Sequence, residues 1–302
     1  MRELQWVVSP EDEGRAVRTV VPRRFSLGSH AFRRLKVQGG ILVNGVPAHA
    51  DRLLHAGDVL TVRLLTEGPV SVPGVLPGGK GCAVRYLDGD LIIVSKGAPL
   101  PTLPSCHQRG DTLRERLAVL LGEDPEVFRY HPVNRLDKGT SGLLAVARHD
   151  HAQRLLAKQL HSSAFRREYL AVTEGAPREP EGIIDAPIAR LGEGARRCIR
   201  ADGQPARTHY RVESVSRGRA LIRLWLETGR THQIRVHLAS LGCPIVGDYL
   251  YGREEPSLPD RFALHSARLV CTQPITGEQI DLTEPLPSAL EALLTPPPAS
   301  CP

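Results

Sequence analysis

One aspartate in this chain has a setting that could do chemistry. Asp137 lies in the segment Arg135-Leu-Asp-Lys-Gly-Thr-Ser-Gly142, with a basic residue on each side and two glycines close behind it. Glycines at this density indicate backbone that turns tightly or approaches another group closely. The neighbouring cations favour the ionised carboxylate, so we expect Asp137 to be charged and directed outward. The alternative is an ordinary polar turn in which Asp137 pairs with its neighbours, because structural ion pairs also perturb carboxylates.

The element that must position this segment is a buried strand. Residues 143–147, Leu-Leu-Ala-Val-Ala, form an unbroken apolar run with no polar face. Such a run predicts a strand that is covered on both sides. A second strand is predicted from Glu168 to Val172, where Tyr169 points to the opposite face from Glu168. A lone tyrosine in a strand is most often half-buried in the core, and that is its alternative interpretation.

A third stretch, residues 226–238, joins the end of a strand to a helix. Thr228-Gly-Arg-Thr231 ends the strand, and Ile234 and Leu238 mark the buried stripe of the helix. Arg235 lies at the edge of that stripe, so its guanidinium could be covered. A covered arginine needs an anion, and Asp137 is the obvious candidate. The alternative is an exposed helical arginine beside Glu227.

Taken together, these motifs resemble the RluA family of RNA pseudouridine synthases. The resemblance covers residues 83 to about 286 and rests on Arg-Leu-Asp-Lys-Gly-Thr-Ser-Gly-Leu-Leu from 135, Arg-Glu-Tyr-Leu-Ala from 167, Thr-Gly-Arg-Thr-His-Gln-Ile-Arg-Val-His-Leu from 228 and Gly-Cys-Pro-Ile-Val-Gly-Asp-Tyr-Leu-Tyr from 242. Two positions depart from the family pattern. Asn134 stands where many members have histidine, and Lys96-Gly97 stands where Lys-Pro is usual.

The resemblance implies an isomerase that converts uridine in folded RNA into pseudouridine. The bond from ribose C1′ to uracil N1 breaks, the uracil turns, and C5 joins C1′. By resemblance, Asp137 acts at the sugar as nucleophile or as base, Arg235 positions and balances it, and Tyr169 stacks on the uracil and assists proton loss at C5. The target nucleotide must leave its stack, and Arg135 is placed to fill the gap or to hold the flipped backbone.

The same motifs supply further residues that we expect to contact RNA. They are Lys138, Thr140, Arg230, His232 and Gln233.

No cofactor is implied, because the atoms of uridine exchange places without redox chemistry, ATP or a metal. The sequence agrees with this, since it contains no Walker motif, no Gly-x-Gly-x-x-Gly fingerprint and no Cys-x-x-Cys pair. His232 and His237 are five residues apart, off the four-residue spacing that places two histidines on one helical face. We therefore predict no metal, and we expect the six cysteines to be reduced thiols of a cytosolic protein.

The N-terminal part of the chain is locally basic. The whole chain carries a net charge of +6, but residues 15–50 contain seven basic residues and no acid: Arg15, Arg18, Arg23, Arg24, Arg33, Arg34 and Lys36. They accompany a predicted helix over residues 29–37 and a hairpin turn at Asn44-Gly45. This pattern resembles an S4-type RNA-binding domain, so Arg33, Arg34 and Lys36 are expected to contact phosphates. The alternative is a small α+β unit whose basic face is merely solvated.

We predict an α+β protein with two domains. Residues 1–66 form the S4-like domain, 67–82 a linker rich in Pro and Gly, 83–290 the catalytic domain and 291–302 a frayed tail. The catalytic domain is expected to have a mixed, mostly antiparallel β-sheet flanked by helices. Within it, Lys96 ends a strand and could neutralise a phosphate or face water. No run of 18 apolar residues and no signal-peptide pattern occurs, so we expect a cytoplasmic protein without a membrane span, and a monomer by default.

Several functions stay open at this point. The S4-like region favours large-subunit ribosomal RNA as the substrate, with transfer RNA as the alternative. A different class is a non-catalytic S4-type RNA-binding protein, although Asp137, Tyr169 and Arg235 are all present. A third class is an acyl or phosphoryl transferase that uses His131, Ser141 and Asp137, but the chain has no nucleophile elbow and no phosphate loop.

Overall fold

The computed structural model describes residues 2–25, 27–64, 81–104, 110–160 and 162–295. The helices are α1 (Val17–Arg24), α2 (Ser29–Val37), α3 (Leu113–Leu120), α4 (Asp150–Gln159), α5 (Gln233–Ser240) and α6 (Ser288–Glu291), with a short 3-10 helix at Pro10–Asp12. The strands are β1 (Arg2–Val7), β2 (Ile41–Val43), β3 (Val46–Pro47), β4 (Val59–Leu64), β5 (Cys82–Leu87), β6 (Leu91–Lys96), β7 (His131–Pro132), β8 (Ser141–Ala147), β9 (Arg166–Glu174), β10 (Glu181–Asp185), β11 (Ile188–Arg190), β12 (Arg197–Ile199), β13 (Arg207–Ser216), β14 (Arg219–Leu226), β15 (Leu264–Thr272) and β16 (Gln279–Thr283). Most of the predicted linker and the end of the predicted tail, residues 296–302, lie outside the described residues.

The N-terminal unit is a four-stranded antiparallel sheet in the order β1-β4-β2-β3, with α1 and α2 packed against it. The predicted hairpin is confirmed, because Asn44 and Gly45 both have positive φ angles, 54° and 79°, as a type I′ turn requires. Leu35 on α2 and Val62 on β4 belong to one apolar cluster. This unit therefore has a hydrophobic core of its own.

Asp12 forms ion pairs with several arginines of the basic stretch in this unit. Its carboxylate is fully buried and accepts hydrogen bonds from Arg15 at 3.3 Å, Arg23 at 2.5 Å and Arg24 at 2.9 Å. Arg18 pairs with Asp51 instead. These four arginines therefore have carboxylate partners within the N-terminal unit. Three of them surround Asp12 because a buried carboxylate needs cations, which the sequence pattern alone does not show.

The main sheet has ten strands. Eight follow the order β10-β13-β14-β9-β15-β8-β6-β5, while β16 pairs with β15 and β7 with β8. Among the described strands of this sheet, β8 and β15 make the one parallel pair, through His265 opposite Ser141 and Ser266 opposite Gly142. The mixed, mostly antiparallel sheet of the prediction is confirmed.

Helices cover both faces of this sheet, so β8 is buried on both sides as predicted. Leu144 and Val146 face the larger apolar cluster, which includes residues of α3 and α5, whereas Leu143 and Ala145 face a second cluster that includes α4. The side-chain alternation of a strand assigns successive residues to opposite faces. Within the described part of the chain, none of the helices is long and apolar enough to cross a membrane.

Candidate active site

Asp137 lies in the loop between β7 and β8, at the edge of a large cavity. The N–H of Thr140 donates to the carbonyl of Asp137 at 3.1 Å and closes the turn. Gly142 follows with a φ of +106°, and a Cβ there would meet the carbonyl oxygen of Ser266 at 2.2 Å. Only glycine permits this close approach of β8 and β15. The Asp137 side chain stays 29% exposed, so its carboxylate is open to a ligand.

The cavity has a volume of about 840 Å³. Three of the chain segments that line it carry the predicted site residues: the Asp137 loop, strand β9 with Arg167 and Tyr169, and the segment from Leu226 to Arg235. Residues 101–104, Leu160 and Leu264 complete the lining. The sheet thus brings together motifs that are far apart in sequence. A cavity of this size falls within the usual range for ligand sites.

Arg235 lies between two carboxylates. Its Nε and one terminal nitrogen donate to the two oxygens of Asp248, at 2.7 and 2.8 Å, and the other terminal nitrogen donates to Oδ2 of Asp137 at 3.2 Å. The guanidinium is almost completely buried and stacks over the rings of Phe262 and Tyr251, at 4.2 and 5.1 Å from their centres. The predicted contact with Asp137 is present, but the covering is deeper than expected.

Asp248 was missed as a site residue, although its segment was part of the motif comparison. It is fully buried and also accepts from the N–H of Leu250 at 3.1 Å. The sequence did indicate that such a residue exists, since an arginine buried at a helix face needs a carboxylate to balance its charge. The local sequence does not say which of the chain's acids supplies it.

Tyr169 extends from β9 into the same cavity and is 4% exposed. Burial raises the pKa of its phenol, while the nearby Arg167 guanidinium opposes the increase and the charge of Asp137 adds to it. The phenol is therefore protonated at neutral pH. Its face can stack on a base, and its hydroxyl can take part in proton transfer only when a neighbouring group lowers that pKa.

His232 begins helix α5 in a left-handed conformation, with a φ of 59°. The hydroxyl of Tyr251 accepts the N–H of Arg197 at 2.8 Å and lies 2.9 Å from Nδ1 of His232. A hydroxyl that donates its own hydrogen to Nδ1 requires the imidazole proton to be on Nε2, and this is the tautomer we predict. Burial lowers the pKa of His232, against the opposing effect of Asp137. The ring therefore lines the cavity as a neutral donor.

Gln233 lines the cavity, but its side-chain amide is bonded within the protein. Its amide oxygen accepts from Thr228 at 2.8 Å and from the N–H of Arg230 at 2.9 Å, and its nitrogen donates to Arg207 and Thr208. All four hydrogen-bonding positions of the amide are used within the protein. We correct the predicted RNA contact accordingly, because this side chain holds the Thr228–Arg230 loop against β13.

The other predicted RNA-contacting residues fall into two groups. Arg135, Lys138, Thr140 and Arg230 line the cavity together with Asp137, and all but the buried Thr140 are exposed. Arg33, Arg34 and Lys36 lie on α2 in the N-terminal unit and are not part of the cavity wall. The structure therefore brings the first group to the site and leaves the second outside it.

Lys96 neither faces water nor a phosphate position, so both expectations for it were wrong. It is 1% exposed, and its Nζ donates to the carbonyls of Leu100 at 2.7 Å, Gly97 at 3.0 Å and Lys138 at 3.3 Å. Burial lowers its pKa to about 7. Through its hydrogen bond to the carbonyl of Lys138, Lys96 thus connects the end of β6 to the Asp137 loop.

The two departures from the family pattern have local explanations. The N–H of Gly97 donates to the carbonyl of Gly81 at 2.6 Å, a bond that proline could not make. Asn134 is buried, and its amide oxygen accepts the N–H of Ala145 at 3.2 Å. Both residues brace the strands that carry the loop.

The transferase alternative finds no assembled triad. Ser141 Oγ lies 2.8 Å from Nδ1 of His265, not beside His131, whose Nδ1 lies 3.5 Å from Asp150. Among the described residues, no group of three or more His, Cys, Asp or Glu side chains is arranged to hold a metal ion.

Comparison with known proteins decides the family. The profile of the family described as RNA pseudouridylate synthase matches residues 90–240. An uncharacterised RNA pseudouridine synthase of Bacillus subtilis is 32% identical over 97% of this chain and 96% of its own length. The chain belongs to the RNA pseudouridylate synthase family. It is therefore an isomerase of uridines in RNA.

Two further members of the family are similar over much of the chain. The ribosomal large subunit pseudouridine synthase D of Nitrosomonas europaea is 41% identical over 70% of this chain and 64% of its own length. The solved structure of human RNA pseudouridylate synthase domain containing 1 superposes with a TM-score of 0.53 at 26% identity, covering 76% of this chain and 90% of that one. The match confirms the predicted α+β fold of the catalytic domain.

Proposed function

We propose that this pseudouridine synthase modifies ribosomal RNA, with the large subunit as the favoured substrate, and that Asp137 is its catalytic carboxylate. The observation that carries the proposal is the Asp137 carboxylate itself, which opens to a cavity of about 840 Å³ and is contacted by a buried guanidinium. The Nitrosomonas relative is named for the large ribosomal subunit. That name supports this choice of RNA over transfer RNA.

The proposed chemistry follows from the positions of three side chains. Asp137 acts at ribose C1′, as nucleophile or as base, and both roles require the ionised form. Arg235 holds the carboxylate in place through the 3.2 Å hydrogen bond and is itself held by Asp248. Tyr169, which lines the same cavity, stacks on the uracil while it turns. Arg135, Lys138 and Arg230 lie at exposed positions of the rim, where they would meet the RNA backbone.

We propose further that the N-terminal unit is an S4-like RNA-binding domain within the predicted boundaries of 1–66, followed by a linker and the catalytic domain at 83–290. Its support is a separate apolar core and a helix, α2, whose Arg33 and Lys36 are exposed. The monomeric state and the cytoplasmic location stay predictions.

A salt titration tests the S4-like domain. Replacing Arg33, Arg34 and Lys36 together by alanine is expected to weaken RNA binding. The slope of log affinity against log salt should fall by roughly 2 to 3, since each lost phosphate contact removes about 0.7–0.9. Arg18→Ala is the matched control, because Arg18 already pairs with Asp51. An unchanged slope in the triple variant would refute the proposed contact.

The main experiment is genetic. The gene is deleted in its host, pseudouridines are mapped across ribosomal and transfer RNA, and the strain is complemented with the wild type or with Asp137→Ala. We expect one or a few sites in large-subunit RNA to disappear, to return with the wild type and to stay absent with Asp137→Ala. Loss of transfer RNA sites instead would replace the proposed substrate. Restoration by Asp137→Ala would overturn the role of Asp137 and favour a non-catalytic binding protein.

A further inference from the structure

Arg167 is a buried cation with no counterion among the described residues. Its side chain is on β9, only 8% of the residue is exposed, and its Nε has no hydrogen-bond partner within that part of the chain. No carboxylate among the described residues lies within ion-pair distance of its guanidinium. Arg235, the other deeply buried arginine of the site, contacts two carboxylates. The two arginines share one cavity, but only one of them is neutralised by the protein.

The guanidinium of Arg167 belongs to the cavity wall. Arg167 and Tyr169 are two residues apart on one strand, so they face the same side at a spacing of about 6.6 Å. On the other side, a Cβ at Gly229 would lie 3.4 Å from a terminal nitrogen of Arg167. The loop after β14 therefore packs against the guanidinium and fixes its position. The ring of Phe165 lies 5.9 Å away.

Burial of an unpaired charge is unfavourable unless an anion completes the site. Within the described part of the chain, the protein does not supply that anion. The side chain nevertheless lines the wall that faces the substrate. We therefore expect the bound nucleotide to supply the anionic partner of Arg167.

We propose that Arg167 binds a carbonyl oxygen of the target uracil and stabilises the negative charge that the base carries when it separates from ribose. This inference rests on the proposed function. The ring of Tyr169 stacks on the base. Arg167, two residues away on the same face of the strand, reaches the edge of that base. Arg167 is then a catalytic residue beside Asp137, Tyr169 and Arg235.

The electron balance of the step shows where charge appears. When the C1′–N1 bond breaks, its electron pair stays on uracil and spreads from N1 to O2 and O4. After the base turns, an electron pair of the ring forms the C5–C1′ bond, the proton on C5 is lost, and N1 gains a proton. The product is an isomer of the substrate. Arg167 neither gives nor takes a proton, because a guanidinium stays charged at every relevant pH.

The base is a better partner for Arg167 than a phosphate. A flipped base enters the deepest part of a pocket, while the phosphates remain along the surface. Arg135 and Arg230 are exposed and can contact the phosphates, whereas Arg167 is buried in the wall of the same cavity. A donor aimed at developing charge in a dry site has a large effect on the chemical step.

The test compares Arg167→Met and Arg167→Lys with the wild type in single-turnover reactions. The substrate is RNA purified from the deletion strain, and pseudouridine is measured at the mapped site. We expect Arg167→Met to lower the rate constant at saturating enzyme by on the order of 10²-fold, with the dissociation constant for RNA changed by less than about threefold. Arg167→Lys should restore part of the rate. Arg166→Met is the control, since Arg166 is exposed on the opposite face of β9, and it should change neither quantity.

A thermal melt separates this role from a structural one. Removing an unpaired buried charge should leave the melting temperature of Arg167→Met equal to or above that of the wild type. The inference is overturned by a lower melting temperature with no rescue by lysine, or by an unchanged rate constant. It is also overturned by weaker RNA binding with a shallower salt dependence and a normal rate, which would indicate a phosphate contact. If the wild type itself makes no pseudouridine, the proposed function fails first, and the melt still reports on the buried charge.

Discussion

Asp248 binds the guanidinium of Arg235 through two hydrogen bonds of 2.7 and 2.8 Å, and both side chains are almost inaccessible to solvent. Asp137 receives a single hydrogen bond of 3.2 Å from the remaining nitrogen. The bidentate pair holds the arginine in place without the substrate. The remaining terminal nitrogen of Arg235 therefore points to the carboxylate of Asp137, which is open to the cavity.

This arrangement predicts a large loss of stability for one substitution and a small loss for its matched counterpart. Asp248→Asn removes one partner of a buried pair and should lower the free energy of unfolding by about 3 kcal/mol. Asp137→Asn removes a partly exposed contact, so it should cost less than about 1 kcal/mol while abolishing pseudouridine formation. Urea denaturation and a single-turnover assay measure the two quantities. Equal stability losses in the two variants would contradict the proposal that Asp248 has a structural role and Asp137 a catalytic one.

The burial of Lys96 should make the stability of the protein depend on pH. Burial lowers its pKa to about 7 in the folded protein, against about 10.4 in an unfolded chain. Between these values the unfolded state binds one more proton, so the free energy of unfolding should rise with pH by up to about 1.4 kcal/mol per unit. The rise should be missing in Lys96→Met. Urea denaturation of both proteins from about pH 6 to about pH 10, the window set by the two pKa values, gives the difference curve. A flat curve would contradict the shift.

The Tyr251 hydroxyl predicts the tautomer of His232. Because it accepts the N–H of Arg197, its own hydrogen is directed to Nδ1 of His232, 2.9 Å away. Nitrogen-15 NMR of the imidazole should show the proton on Nε2 and a pKa below the ordinary histidine value, as burial dictates. In Tyr251→Phe the donor to Nδ1 is lost, so the pKa should rise. A proton on Nδ1 in the wild type would refute this assignment.

Gly142 should be the least replaceable glycine beside the site. An alanine there needs a φ of +106° and would place its Cβ 2.2 Å from the carbonyl oxygen of Ser266. Backbone strain and the clash together should cost about 3–5 kcal/mol. Gly175 is the control, since its φ is +76° and a Cβ there meets nothing within 4 Å, so Gly175→Ala should cost about 1–2 kcal/mol. Thermal or urea denaturation compares the two, and similar losses would contradict the role of the close approach.

The amino-acid sequence by itself determined the local features of this protein. The apolar run of β8 indicated burial on both faces, and Asn44-Gly45 indicated the hairpin turn. Each of these features depends on residues that are neighbours in the chain, where period and turn chemistry act directly. The motifs around Asp137, Tyr169 and Arg235 also indicated the family before any distance was known.

Only the tertiary structure decided which charges are paired. Asp137 and Arg235 are 98 residues apart, Asp12 collects arginines from the end of α1, and Lys96 is buried among carbonyls instead of facing water. A sequence pattern shows that a side chain is charged, but not whether packing removes water from it or which distant group then balances it. Arg167 illustrates the point, because only the packed strands around it show that no carboxylate of the described residues is its counterion.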